Sequence, residues 1–392
     1  MGIPPDRDHD PVTSLQSLED LRALMPVIDS CLYLDHAAAG ILPRPVAGAM
    51  IQRIHSATTH GVRHWNVWSK LIQRTRKLTA ELIGGHEDEI AFVSNTAAGI
   101  GTIAEGFRWK PGDNIVLSSH EFPSNRFPWL NLRRRGVEVR QVDTPDAPNA
   151  FGEALGAACD SNTQIVACSW VDYSTGVRRD PARLAELAHR HDALLVLDVI
   201  QGLGVLPLDL HAQNIDVLVA DSRKWLMGPE GAGILAIRQE KRDRIEVTRP
   251  GWASTTDPLN FGMKELQLSD TATRFESGMH NTFGLAGLHA SLRLLKDVSA
   301  TTREEHLLAI RSVFEEAGRS AGLLNKAWPR SAQSGILTFS HPKLEPAALV
   351  RHLRTHNTTV SLKKNSIRVS PHLYNNADDA RHFAEALAEV HC

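Results

Sequence analysis

The stretch DSRKWLMGPEGAG, residues 221–233, places one lysine, Lys224, beside Trp225, Leu226 and Met227 and then continues into three glycines and a proline. Lysine is rarely buried, because removing an ammonium group from water is costly unless the group is paired or neutral. This context therefore predicts one of two roles for Lys224. Either its ammonium reaches the surface from the edge of the core, or its amine is used chemically.

Two apolar runs, 216–222 and 231–238, flank this lysine and are too close together for a helical crossover. We therefore expect the second run to form a strand antiparallel to the first. Upstream, further strands alternate with segments of helical length such as 180–192, in which Asp180 is a helix N-cap and Pro181 the first helical residue. The alternation predicts a mainly parallel sheet covered by helices. These upstream strands are expected at 89–95, 114–119, 137–142, 164–171 and 193–199.

The pattern changes after about residue 270, where long helices at 281–297 and 301–321 precede short strands. This change predicts a second, smaller α+β domain. We expect a large α/β domain at 30–265, and a small domain built from 1–29 and 266–392.

The composition is that of a soluble globular protein, with 42% hydrophobic and 22% charged residues in 392. A formal net charge of −2 argues against nucleic acid or a membrane surface as a partner. The four cysteines form no Cys-x-x-Cys pair, which favours neither a disulfide framework nor a zinc site. No signal peptide or membrane-length apolar run is visible, so we expect a cytoplasmic protein.

Polar residues at three strand ends are candidates for chemistry, since ligands of open α/β sheets bind beyond the carboxyl ends of the strands. One strand ends at Asn95 and Thr96 and opens a helix, whose N-terminus attracts anions, although a plain N-cap is the simpler interpretation of this stretch alone. A second strand ends at Asp198, and a third leads to Lys224.

An anion cradle, a buried carboxylate and a lysine flanked by apolar residues match the needs of pyridoxal phosphate. The lysine amine condenses with its aldehyde, and the carboxylate keeps its pyridine nitrogen protonated.

The chain resembles the class V aminotransferase family of fold type I pyridoxal phosphate enzymes, which includes cysteine desulfurases, isopenicillin N epimerase-like proteins and kynureninases. The resemblance covers nearly the whole chain, and the ordered set of segments is specific. It implies the fold type I architecture, a pyridoxal phosphate cofactor, a small amino-acid substrate and a homodimer. The segments that carry it are YLDHAAAGILPRPV (33–46), EFPSNRFPW (121–129), DVIQGLGVLPLDL (198–210), SRKWLMGPEGAGIL (222–235), RFESGMHNTFGL (274–285) and IRVSPHLYN (367–375).

The same resemblance implies roles for individual residues. Lys224 would bind the cofactor covalently and carry protons, and Asp198 would pair with the pyridinium nitrogen. Gln201 would hydrogen-bond the phenolic oxygen. Thr96 and the backbone of Ala97 would hold the phosphate. The remaining roles that it implies are Phe122 stacked on the cofactor, Arg223 as a phosphate donor and Arg368 as the clamp for the substrate carboxylate. We also expect His36, Tyr173 and Trp252 to face the substrate, although each could equally be a core or interface residue.

Three positions depart from the family pattern. Arg223 stands where many relatives have histidine, and Asp221 stands where a phosphate-binding Ser or Thr is common. Met279 replaces a small hydroxyl residue that reaches the phosphate across the dimer interface. We expect Asp221 to repel the phosphate unless its carboxylate is turned away.

Cysteine desulfurases carry a nucleophilic cysteine shortly before the carboxylate-binding arginine. Here that segment, NTTVSLKKNSIRV (357–369), has no cysteine, and Cys392 is the final residue. Cys31, Cys159 and Cys168 have the context of ordinary small buried residues. The sequence therefore argues against desulfuration through a protein persulfide.

Several alternatives remain beside the expected enzyme. The stretch GLGVLP (202–207) begins like a dinucleotide fingerprint, but Pro207 occupies the third glycine position. No His-Glu-x-x-His motif supports a metal site, so we expect no metal. A cofactor-binding protein without catalysis is a further alternative. Among reactions, we expect aminotransfer slightly ahead of epimerisation or C–S elimination.

Overall fold

The computed structural model describes residues 15, 17–143, 145 and 148–389. The extreme N-terminal segment and Cys392, on which some expectations rest, lie outside these residues. Thirteen strands are described, in chain order: β1 (Leu32–Tyr33), β2 (Ile90–Val93), β3 (Asn114–Ser118), β4 (Glu138–Val142), β5 (Thr163–Ser169), β6 (Leu194–Asp198), β7 (Val217–Asp221), β8 (Gly233–Ile237), β9 (Leu324–Asn325), β10 (Leu337–Ser340), β11 (Thr358–Thr359), β12 (Ser361–Lys363) and β13 (Ser366–Val369).

The described helices alternate with the strands of the first two-thirds of the chain and dominate the last third. In chain order they are α1 (Leu18–Ala23), α2 (Arg44–His60), α3 (Trp65–Ile83), α4 (Thr96–Gly106), α5 (Phe127–Leu130), α6 (Pro148–Ala157), α7 (Pro181–His189), α8 (Thr282–Lys296), α9 (Ala300–Ser320), α10 (Pro346–Thr355) and α11 (Ala377–Ala388). As expected, Asp180 caps α7, accepting hydrogen bonds from two backbone N–H groups of its first turn.

A seven-stranded sheet forms the centre of the molecule, with the order β2-β8-β7-β6-β5-β3-β4. Only β8 runs antiparallel to its neighbours β7 and β2 among the described strands of this sheet. The expectations of a mainly parallel sheet and of an antiparallel return after Lys224 are both confirmed. The connection between β7 and β8 contains two residues with positive φ, Met227 at 53° and Gly231 at 77°. The positive φ at position 231 is a conformation that glycine adopts without strain.

Both faces of this sheet are buried, as continuous apolar strands require. On β6, Leu195 and Leu197 pack on one face, whereas Leu194 and Val196 pack on the other. Each such side chain contributes about 1.5–3 kcal/mol when it leaves water. Helix α4 covers the second face through Ile100 and Ile103 and its neighbours. The packing therefore holds the start of α4 against the carboxyl ends of β6 and β7.

A second, antiparallel sheet of order β12-β13-β10-β9 packs against α9, α10 and α11 around Phe314, Phe339 and Phe383. Leu32 of β1 and the nearby Leu34 join this smaller core, and β1 pairs in parallel with β11. Helix α8 is buried in the larger core instead. The boundaries 30–265, 1–29 and 266–392 stay a prediction.

None of the helices in the described part of the chain is both long and apolar enough to cross a bilayer. The same residues contain no cluster of three or more His, Cys, Asp or Glu side chains placed to hold a metal ion.

Candidate active site

A cavity of about 530 Å³ opens where β6 and β7 end and α4 begins. Parallel strands bring their carboxyl ends to one edge of a sheet, so chemically useful strand-end residues meet there. Seven of the residues expected in the site line this cavity: Thr96, Ala97, Phe122, Asp198, Gln201, Arg223 and Lys224. The structure also places Tyr173, Ser169 and Asp221 in the wall.

Lys224 is only 4% exposed, which excludes an ammonium that reaches solvent from the core edge. Burial lowers the pKa of its amine, and the positive charges of Arg223 and Arg368 lower it further, whereas Asp198 opposes them. Burial also raises the pKa of the Asp198 carboxyl, with a further contribution from Glu121. The pair thus combines a lysine that gives up its proton readily with a carboxyl that retains one readily.

The N-terminus of α4 supplies the anion cradle. Asn95 caps the helix by accepting a hydrogen bond from Ala98 N at 2.9 Å. The Thr96 hydroxyl is buried and has no hydrogen-bond partner among the described residues. A buried, unpaired hydroxyl is costly unless a ligand satisfies it. Together with the helix dipole, Thr96 therefore fits a bound phosphate.

Asp221 stands at the end of β7 beside Arg223, with its carboxylate 3.9 Å from Arg223 Nε. Burial raises the pKa of Asp221, and the backbone N–H and charge of Arg223 oppose this effect. Arg223 also donates from Nη1 to the carbonyl of Ala38 at 3.1 Å. The backbone of Arg223 is held as well, since its carbonyl accepts from Gly40 N at 2.6 Å.

Gln201 lies in the wall with both ends of its amide engaged. Nε2 donates to the Ala37 carbonyl at 3.0 Å, and Oε1 accepts from Trp225 Nε1 at 2.9 Å. One amide hydrogen is left for a ligand. The expected hydrogen bond from Gln201 to the cofactor therefore stays a prediction, and this remaining amide hydrogen would have to form it.

Two aromatic rings form the outer wall. Phe122 and Tyr173 make an edge-to-face pair with centroids 5.2 Å apart, and Lys224 Nζ lies 5.5 Å from the Phe122 centroid. Behind them, the Glu121 carboxylate accepts hydrogen bonds from Ser169 N at 3.0 Å and Asn125 Nδ2 at 3.0 Å. Glu121 was not anticipated from the sequence, although it lies directly before Phe122.

Arg368 and His36 do not line this cavity. Arg368 donates from Nη1 to the Tyr173 carbonyl at 2.7 Å and from Nη2 to Asp35 Oδ1 at 3.0 Å, and its buried Nε has no partner within the described chain. Asp35 was not anticipated, although it lies in the quoted segment YLDH. A substrate carboxylate at Arg368 would have to bind beside this ion pair.

The placement of His36 differs from the expected contact with a substrate. Nδ1 donates to the Ser370 carbonyl at 3.2 Å and Nε2 accepts from the Tyr374 hydroxyl at 3.2 Å. Burial lowers the pKa of this imidazole, which keeps it neutral. His36 thus packs in the interior behind Trp225. Trp252, also expected near the substrate, instead contacts Phe261.

None of the described cysteines lines the cavity. Cys168 is buried within the large core, and burial raises the pKa of its thiol. Cys159 is partly buried, and burial raises its pKa to about 11. Such thiols are poor nucleophiles at neutral pH.

Comparison with known proteins agrees with this geometry. The family model of class V aminotransferases matches residues 32–382. The chain is 26% identical to a probable cysteine desulfurase of Methanothermobacter thermautotrophicus, over 95% of this chain and 98% of the relative.

Two solved structures share the fold. The apo cysteine desulfurase of Thermococcus onnurineus NA1 has a TM-score of 0.85 and 24% identity, covering 96% of this chain and 98% of that one. The cystine C–S lyase C-DES, solved with cysteine persulfide, has a TM-score of 0.86 and 22% identity, covering 93% and 99%. The match over most of the chain shows that this protein belongs to the class V aminotransferase family of fold type I enzymes, whose cofactor is pyridoxal phosphate.

Proposed function

We propose that this enzyme is a C–S lyase that cleaves the Cβ–S bond of a small sulfur-containing amino acid by β-elimination. The sulfur leaves with the departing group and is not transferred to a cysteine of the protein. The observation that carries the proposal is that no described residue places a thiol in the cavity or in the β12–β13 hairpin beside Arg368. A desulfurase needs a cysteine there to receive the sulfur. Elimination needs only removal of the α-proton and departure of the thiol.

The residues present fit the cofactor. The unpaired Thr96 hydroxyl and the N–H groups at the start of α4 would hold its phosphate. Asp198 would hold the proton of the pyridine nitrogen, Phe122 would cover the ring, and Lys224 would bind the aldehyde carbon. The cofactor, when bound, supplies an electron sink for the charge that develops at the substrate α-carbon.

The chain's own residues then perform the proton transfers. The lowered pKa of Lys224 keeps a share of its amine neutral near pH 7, so Nζ can accept the α-proton. The same amine can return that proton to the departing sulfur. Arg368 would orient the substrate carboxylate through its Nε, which has no hydrogen-bond partner in the described part of the chain. The wall formed by Phe122 and Tyr173 would limit access of water.

Aminotransfer is the second candidate, and the family membership favours it. It would need Lys224 to remove the same α-proton and to deliver it away from the substrate, and it would need a keto acid to accept the amino group. Epimerisation would return the proton to the other face of the α-carbon. The similarity to a probable cysteine desulfurase favours substrates that contain sulfur, and the missing thiol favours elimination among their reactions. Retention of Lys224, Asp198 and Arg368 together argues against a binding protein without catalysis.

We also propose a homodimer. Met279 is exposed and lines a second cavity of about 490 Å³ together with Ala97 of the cradle. Ile51, Ile54 and Phe283 are large apolar side chains exposed on α2 and α8, which pack against each other. A second copy would cover this face, as the family resemblance implies.

Product analysis distinguishes these reactions. Purified protein loaded with pyridoxal phosphate would be given L-cystine, S-ethyl-L-cysteine or L-cysteine, with pyruvate, alanine, ammonium and free thiol quantified. We expect pyruvate and ammonium in equal amounts together with one equivalent of the departing sulfur group, and none from Lys224→Ala. That group is ethanethiol from S-ethyl-L-cysteine, sulfide from L-cysteine and cysteine persulfide from L-cystine. Alanine with protein-bound sulfur would refute the proposal in favour of desulfuration. Keto acid formed only when an acceptor keto acid is present would favour aminotransfer, and D-enantiomer without pyruvate would favour epimerisation.

A further inference from the structure

The β12–β13 hairpin carries two cations that contact Tyr173, a residue of the cavity wall. Ser361 of β12 lies opposite Arg368 of β13 in the antiparallel register, and Lys363 lies two residues further along β12. Side chains two residues apart on a strand point to the same face of a sheet. Lys363 therefore shares a face with Ser361 and Arg368, whereas Leu362 between them is exposed on the other face.

Tyr173 connects both cations to the cavity. Its carbonyl accepts a hydrogen bond from Arg368 Nη1 at 2.7 Å, and its ring centroid lies 5.6 Å from Lys363 Nζ. Tyr173 itself lines the cavity and contacts Phe122, which lies beside Lys224. The aromatic pair thus spans the distance between the reactive lysine and Lys363.

The charges around this hairpin do not balance. Asp35 pairs with Arg368 and accepts from the Ser361 hydroxyl at 2.7 Å. Across the described residues, no carboxylate forms an ion pair with Lys363. Its partial burial, together with the charge of Arg368, lowers its pKa, and Asp35 only partly offsets this. A half-buried ammonium that lacks a counter-ion beside a second cation is ready to bind an anion.

We propose that Lys363 binds a second anionic group, carried at the far end of the substrate's β-substituent, while Arg368 binds the α-carboxylate. The preferred substrate would be an amino acid whose sulfur substituent ends in a carboxylate or sulfinate. The inference rests on the proposed elimination for its reaction, and on the hairpin geometry for its binding site. Tyr173, which lines the cavity, would keep the Lys363 ammonium at the cavity wall through the contact with its ring, where the distal group could reach it.

The chemistry balances for a probe such as S-carboxymethyl-L-cysteine. Lys224 takes the α-proton, the Cβ–S bond breaks with its electron pair on sulfur, and protonation of sulfur yields thioglycolate. Addition of one water releases ammonium and leaves pyruvate. No oxidant or reductant is needed, and Lys363 takes no part in bond breaking.

The kinetic test compares S-carboxymethyl-L-cysteine with its neutral counterpart S-ethyl-L-cysteine. Lys363→Met should lower kcat/KM for the carboxylated substrate by roughly 10-fold or more, the loss expected for one charge-assisted contact, and leave the neutral one nearly unchanged. Lys363→Arg should restore most of the loss. Lys364→Met is the matched control, because Lys364 is the exposed neighbour at the turn of the same hairpin. L-Cystine, whose departing half also ends in a carboxylate, is the second substrate compared in the same variants, and Lys363→Met should lower its kcat/KM in the same way.

A binding test separates this inference from the proposed function. The dissociation constants of glutarate and butyrate, measured by calorimetry on the loaded enzyme, should show a preference for the dianion that Lys363→Met abolishes and Lys364→Met retains. If that preference holds but no substrate yields pyruvate, the lyase proposal fails and the second anion site stands. If Lys363→Met changes neither the glutarate preference nor the substrate ratio, or Lys364→Met acts equally, the site is refuted.

Discussion

Glu276 anchors the strand that leads into the phosphate cradle. Its carboxylate accepts from Arg76 Nη1 at 2.9 Å, Arg76 Nη2 at 3.0 Å and Phe92 N at 2.6 Å. Arg76 in turn donates to the Ile90 carbonyl at 2.6 Å. Because Ile90 and Phe92 belong to β2, this buried pair fixes the strand from which the cradle at 94–97 continues. We predict that Glu276→Gln destabilises the protein strongly.

The magnitude follows from the pKa of Glu276. Burial alone would raise it, but the Arg76 charge, assisted by His280, lowers it from 4.5 to about 2. A carboxyl with a lowered pKa in the folded state stabilises the protein above its unfolded pKa and loses that contribution as the pH falls. The shift corresponds to about 3 kcal/mol at pH 7, of which about 2 kcal/mol is lost by pH 3.

Urea unfolding at several pH values tests this reasoning. The free energy of unfolding of Glu276→Gln should lie about 3 kcal/mol below wild type at pH 7, and the gap should shrink to about 1 kcal/mol at pH 3. Glu246→Gln is the matched control, because Glu246 pairs with Arg108 at 2.9 Å on the surface. Its loss should stay below about 1 kcal/mol. A gap for Glu276→Gln that is equal at both pH values would refute the electrostatic account.

Three further predictions concern the site and the surface. Thr96→Val should weaken pyridoxal phosphate binding by roughly 10-fold, because the substitution removes one buried hydroxyl. The affinity is measured by equilibrium dialysis, and an unchanged value would show that this hydroxyl does not contact the phosphate. The rate at which the apoprotein captures pyridoxal phosphate covalently should rise with pH through a midpoint well below 10.5, because burial lowers the pKa of Lys224 and only the neutral amine reacts. The rate is followed by absorbance, and a midpoint near 10.5 would contradict a lowered pKa of the Lys224 amine. Ile51 is 65% exposed, and Ile51→Glu should convert the dimer to a monomer. Leu362→Glu on the hairpin is the control and should leave the dimer intact. Sedimentation tests both variants, and an unchanged sedimentation coefficient for Ile51→Glu would place the interface elsewhere.

Local patterns sufficed to predict the sheet and the location of the site. Strand runs alternated with helical segments, and the short link after Lys224 required an antiparallel return. Strand ends at Asp198 and Lys224 met at one edge because parallel strands point their carboxyl ends the same way. These features depend on residues close in sequence, so periodicity and caps reveal them.

Side-chain partnerships were beyond the reach of the sequence. Asp35 and Arg368 are 333 residues apart along the chain, yet Asp35 occupies part of the guanidinium fork. His36, which belongs to the quoted segment 33–46, turns into the interior toward Tyr374. No local pattern encodes such choices, because each depends on which distant element packs against the residue.

By itself, the sequence determined the fold class and the antiparallel strand, and it predicted a lysine and a carboxylate at neighbouring strand ends, since backbone periodicity and strand ends are local properties. Only the tertiary structure decided which of these groups line one cavity, that Arg368 already holds Asp35, and that Lys363 faces Tyr173 with no ion-pair partner among the described residues. The physical reason is that burial and charge balance arise from contacts between distant segments, and they exist only once the two sheets have packed together.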